Sequence, residues 1–193
     1  MKKIMFNDKF GLTKAVLEGR KTQTRRIVLE RYANMIQDIK NRLISSNKTK
    51  EQINSSLSEL GITISPYKVG EIVAIAQSYK DCGAEAYYWK QTPGWTNKMF
   101  VKENLMPHRI EIERLRVERL QDISEEDCLK EGIYEDGGDD SFIPHYFYNY
   151  YNSNSDGFKT PQLAYADLIN KIACNSTWDS NPWVFVYDFV LIK

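Results

Sequence analysis

Apolar residues change period several times along this chain. Leu12 to Glu18 reads as a short helix that stops at Gly19, the residue that most easily takes the left-handed turn ending a helix. From Lys21 to Val28 the β-branched Thr22, Thr24, Ile27 and Val28 predict an extended segment decorated by Arg25 and Arg26. Tyr32, Met35, Ile36, Ile39 and Leu43 then recur at helical spacing, and a second helical stretch follows from Lys50 to Leu60. The polar Ser45-Ser46-Asn47-Lys48 separates them, so residues 29–62 read as a helical hairpin inserted between two strands. Glu71 to Ala76 is a strand, and Met99 to Lys102 a further short one. From Arg109 to Leu120 the alternation Ile110, Ile112 resumes one residue out of phase at Leu115, Val117, which predicts a bulge in a long bent strand. Ser124 begins a brief helix with acids in its first turn, ending before Gly132. Residues 134–159 read as a long polar, tyrosine-rich loop. Thr160-Pro161 opens another helix, and Trp183 to Ile192, apolar on both faces, is a covered strand. The pattern predicts one α+β domain over residues 1–193, with a small antiparallel sheet closed into a barrel and helices in its connections.

Composition sharpens this picture in a few places. The 193 residues carry a formal net charge of zero, so no global field draws the chain onto polynucleotides, and any such contact needs a local patch. Cys82, Cys128 and Cys174 are far apart and odd in number, which argues against a disulfide framework. With His108 and His145 the only histidines, and no cysteine pair at ligand spacing, no metal site and no cofactor are expected. The N-terminal residues turn polar before a signal peptide could form, and no apolar run approaches membrane-spanning length. A cytoplasmic protein without membrane contact is the expectation.

The charges are segregated. Lys2, Lys3, Lys9, Lys14, Arg20, Lys21, Arg25 and Arg26 face only Asp8 and Glu18 in the first 28 residues, whereas acids crowd residues 122–140 around Lys130. The two groups read either as solvated faces that partly pair, or as a basic rim for phosphates beside a site that uses one particular carboxylate.

One segment carries a resemblance. Leu17-Glu18-Gly19-Arg20-Lys21-Thr22-Gln23-Thr24-Arg25-Arg26 is similar to the signature of the ASCH domain family, and four further segments fit the same pattern in order. They are Tyr67 to Val73, Val117 to Asp127, Glu131-Gly132-Ile133, and Trp178 to Phe189. The whole resembles ASCH proteins of phages and prophages of gut bacteria, and skips the helical insertion and the acidic loop. Where many such proteins carry Arg-Glu-Thr-Trp, this chain has Gln77-Ser78-Tyr79.

The resemblance implies a PUA-like β-barrel and a ligand among RNA, single-stranded DNA or a modified cytosine nucleoside. One branch of the family hydrolyses N4-acetylcytidine, and its lysine, threonine and glutamate fall on Lys21, Thr24 and Glu131. In those roles Lys21, desolvated in a barrel mouth, acts as base, Thr24 attacks the acyl carbonyl, and Glu131 protonates the departing amine. Arg20, Arg25 and Arg26 are the candidate phosphate or base contacts, and Tyr87 and Trp89 a candidate stacking platform for an unpaired base. Binding without turnover, deacylation, and attachment to a host protein through the insertions are the functional readings this leaves.

Overall fold

A computed structural model describes residues 1–137, 146–153 and 155–192. The chain runs β1 (Lys2–Ile4), α1 (Leu12–Leu17), β2 (Gln23–Ile27), α2 (Glu30–Ser45), α3 (Lys50–Ile64), β3 (Ile72–Ile75), α4 (Ala86–Trp89), β4 (Arg109–Arg119), α5 (Glu125–Lys130), β5 (Tyr134–Gly137), β6 (Tyr146–Asn149), α6 (Pro161–Ile172), α7 (Thr177–Ser180) and β7 (Trp183–Ile192).

Five strands form one sheet in the order β1-β3-β4-β7-β2. The sheet is mixed: β1 runs parallel to β3, and the other pairs are antiparallel. This corrects the all-antiparallel expectation, because Lys2–Ile4 adds an edge strand that the lysine-rich start of the chain conceals. The backbone pairing also leaves β1 and β2 at opposite edges, so the described ladder is open. A side chain spans those edges instead: the Arg26 guanidinium donates to the carbonyl of Met5.

The central pair, β4 with β7, is the longest ladder, and its register slips between Ile112 and Arg114. That bulge lets Ile110 and Ile112, then Leu115 and Val117, all enter the core although their spacing changes phase. β7 is buried over most of its length: it lies between β4 and β2 in the sheet, and its side chains belong to the main core cluster together with residues of α1, α2, α3 and α6.

Helices α2 and α3 occupy the stretch read as an insertion, and α3 packs against β4. The contact is close at Gly61, where a Cβ would lie 2.5 Å from Val117 Cγ2. Thr49 and Gln52 cap α3 reciprocally, which starts the helix after the polar connection. Two other expectations change. Met99–Lys102 belongs to a run of short 3-10 turns, Lys98–Phe100 and Glu103–Leu105, not to a strand. Within residues 134–159, β5 and β6 pair and Tyr148 bridges to Phe158, because the aromatic residues favour extended backbone over open loop.

Candidate functional site

The site grows from the way α1 ends. Gly19 takes φ +75°, and the main-chain N–H groups of Arg20 and Lys21 fold back onto the carbonyl of Ala15. This turns the chain inward, so Lys21 enters the protein fully buried at the head of β2. Thr22 N–H then bonds the carbonyl of Lys130, which ties the start of β2 to the end of α5. Ser124 caps α5 by accepting from Asp127 N–H, and Glu131 closes it. Gly132 follows at φ +104°, lying against Leu12 and Lys21, where a Cβ would come within 3.3 Å of Leu12 Cδ2. These joints bring Lys21 and Glu131 together across 110 positions of sequence.

Lys21 Nζ donates to the carbonyls of Gln23 at 2.7 Å and Glu131 at 2.8 Å, and to Glu131 Oε2 at 2.5 Å. Three donated bonds use all three protons of an ammonium group. Burial pushes the Lys21 pKa down, against the pull of the Glu131 charge, and the net direction is below the ordinary lysine value. Arg25 Nη1 holds the other carboxylate oxygen of Glu131 at 3.1 Å, while its Nη2 reaches Glu118 at 2.6 Å and Asp127 at 3.0 Å. Burial works against the Arg25 charge, but Glu131 and Glu118 outweigh it, and Arg25 stays cationic.

Further out, Arg116 pairs with Glu118, Asp127 and Asp188. Gln23 accepts from Arg25 and donates to Asp127 and Asp188. The result is one continuous network of Lys21, Arg25 and Arg116 against Glu118, Asp127, Glu131 and Asp188. It is driest at Lys21 and Arg25, each side chain 1% exposed, and opens toward Asp188, at 23%. In the sheet, Arg25, Val186 and Arg116 share one rung, and Gln23, Asp188 and Arg114 another, so strand register sets much of this geometry.

A cavity of about 390 Å³ opens at the free edge of β2. Met5 to Asp8 and Lys98 line one side, and Tyr165, Leu168, Ile169 and Ile172 of α6 the other. Lys21, Thr24, Arg25, Arg26 and Glu131 all reach it. Mostly apolar walls with a few convergent polar groups, at this volume, are the ordinary make-up of a small-ligand site. The Thr24 side chain makes no hydrogen bond among the described residues. Arg26 lies over the Phe6 ring, and its Nε is buried without a partner among the described residues. Lys98, by contrast, is held by Asp8 and the carbonyl of Phe6.

The structure thus brings five of the eight sequence-selected residues into one cavity and leaves three outside it. Arg20 is exposed and paired with Glu18. Tyr87 is exposed and stacks edge-on against Tyr88, away from the cavity. Trp89 packs 4.3 Å from Tyr79 in a second small core with Val101 and Met106, pinning the long connection. The expected stacking platform is therefore not part of the cavity, since neither Tyr87 nor Trp89 lines it.

Sequence reasoning also passed over Gln23, Lys98, Arg116, Glu118, Tyr165 and Asp188. Two of these carried a signal: Asp188 interrupts an otherwise apolar strand, and Gln23 sits inside the basic motif on the same face as Arg25. Among the described residues, no group of histidine, cysteine and acidic side chains is arranged to hold a metal ion, and no helix is long and apolar enough to cross a membrane. Compared with known proteins, the chain matches no family model, no curated protein and no solved structure.

Proposed function

We propose that this chain is an ASCH-type domain with a PUA-like barrel, whose cavity at the β2 edge takes a single nucleoside or one unpaired base of a nucleic acid. The observation that carries the reading is the meeting of Lys21, Thr24, Arg25, Arg26 and Glu131 on one nucleoside-scale cavity. Arg26 reaching across to Met5 supports edges that curl toward one another. In this reading Arg26, with a donor still free, reads a carbonyl or ring nitrogen of the base, and the α6 side chains cover its flat face. The zero net charge favours a pocket that reads one nucleotide over a polynucleotide track.

A second reading, deacylation of N4-acetylcytidine-type nucleosides, is favoured by the dry Lys21–Glu131 pair beside the unengaged Thr24 hydroxyl. Donating through all three protons, Lys21 has no lone pair to offer. Passing its proton to Glu131 would give a neutral amine and a carboxylic acid, the pair this chemistry needs. The amine then takes the Thr24 proton as Oγ1 adds to the acyl carbonyl. Glu131 returns its proton to the leaving cytosine amine, and water releases the acyl group from Thr24.

One experiment serves both readings. Purified protein is incubated in excess with N4-acetylcytidine, conversion to cytidine is followed chromatographically, and binding of both nucleosides is measured calorimetrically. Saturable binding without conversion supports the pocket alone. Conversion abolished by Thr24→Val establishes deacylation. Absence of both overturns the nucleoside assignment.

A further inference from the structure

A second concavity, about 760 Å³, lies against β4 on the side where β3 falls short. β3 pairs with β4 only from Arg109 to Glu111, and Gly70 and Glu71 extend the contact to Ile112. From Glu113 to Arg119 no strand among the described residues pairs with that edge. Among the described residues, no main-chain group there bonds to main chain outside the β4–β7 ladder. The groove is lined by the five consecutive residues Arg114 to Glu118. Successive side chains point to opposite faces of a strand, so a groove touching all five runs along the strand's edge.

The opposite wall comes from the insertion. Asn54, Ser55 and Ser58 of α3 present polar side chains that make no hydrogen bond among the described residues. Leu57, Leu115, Val117 and Trp183 supply apolar floor. The charge is one-sided. Lys40, Lys50 and Arg114 have no ion-pair partner among the described residues, whereas both oxygens of Glu118 are taken by Arg25 and Arg116. Asp122 is the one acid of the lining without a hydrogen-bond or ion-pair partner among the described residues.

We propose that this groove binds an extended acidic peptide segment, which adds as a strand along the free edge of β4. A strand edge alternates donors and acceptors, and only another peptide backbone satisfies both kinds along its length. A phosphate backbone would answer the cations and leave the β4 carbonyls unpaired. A second copy of β4 paired antiparallel would set either Arg114 against Arg116 or Arg116 against itself, depending on register, which disfavours self-pairing. Arg114 to Glu118 spans roughly 13 Å, room for four or five extended residues. Alternate acidic side chains of such a segment would meet Lys50 and Arg114, and its apolar ones Leu115 and Val117. This site is separate from the β2 cavity and does not depend on what fills that cavity.

The test uses three fluorescein-labelled probes with the whole protein: a hexapeptide of alternating valine and glutamate, its valine–lysine counterpart, and a ten-nucleotide oligothymidine. Anisotropy should report binding of the acidic peptide only, weakened about tenfold or more by Lys50→Glu with Arg114→Glu. Both substitutions lie at exposed positions, and an acid at the start of α3 suits the helix dipole, so the fold is kept. Hydrogen exchange should show the amides within Arg114–Glu118 protected by the bound peptide. Preference for the oligonucleotide would overturn the proposal in favour of nucleic acid. Peptide binding without amide protection would overturn strand addition. No binding would leave these cations as protection of an exposed edge.

Discussion

Lys21 is the residue on which the site depends most. A lysine this deep persists because its three protons are all accepted and a carboxylate faces it. Removing one partner of such a pair strands the other. Lys21→Met should therefore cost about 3–5 kcal/mol in urea unfolding, since it leaves Glu131 with Arg25 alone and two carbonyls without a donor. Thr24→Val should behave oppositely. It removes a hydroxyl that makes no hydrogen bond among the described residues, so stability should change by less than about 1.5 kcal/mol while ligand binding or turnover suffers. Such contrasts are partly visible in the sequence. Lys21, Thr24, Arg25 and Arg26 stand within one short motif, and alternation on an extended segment assigns Thr24 and Arg26 to one face, Arg25 to the other. Arg20 was misleading for a plain reason: it precedes the inward turn and stays in solvent with Glu18.

At the level of elements, the periodicities that carry long-range burial were legible: the bulge in β4, the covered β7 and the amphipathic helices. What escaped were pieces whose shape is set by distant partners. β1 exists because β3 lends it an edge, and the turns at Lys98–Phe100 exist because Lys98 is drawn down to Phe6 and Asp8. Helix α5 shows how a short element serves the site, since it carries Asp127 and delivers Glu131. Ser124→Ala should cost about 1 kcal/mol by leaving the Asp127 N–H without its cap. Gly132→Ala should cost roughly 1–3 kcal/mol, because its φ of +104° is foreign to alanine and the added methyl presses on Leu12. Thermal denaturation of both variants checks these values, and the second should also shift the Lys21 environment.

For the whole molecule, the segregated charges of the sequence meet in part: Lys21 and Arg25 of the basic start pair with Asp127 and Glu131 of the acidic stretch in the buried network, while Lys2, Lys14 and Arg20 pair with Glu71 and Glu18 elsewhere. Zero net charge therefore hides a polar interior. The network makes stability depend on acid. Burial alone would raise the Asp127 pKa, but Arg116, Gln23 and Arg25 overcome it, and the folded value lies below the ordinary 3.8. Its contribution is complete above that unfolded value and is lost as pH falls through the folded one. Melting temperature should accordingly fall as pH drops below about 4, and less so in Asp127→Asn, whose stability at neutral pH starts lower.

The assignment of the β2-edge cavity as a one-nucleoside site is tested most directly by titrating cytidine and N4-acetylcytidine into protein labelled at its isoleucine and threonine methyls. Saturable shifts at Thr24, Ile169 and Ile172, with the buried Ile36 and Ile53 of the insertion itself unmoved, are the expected result. No saturable shift, or shifts confined to methyls outside the cavity, would contradict it.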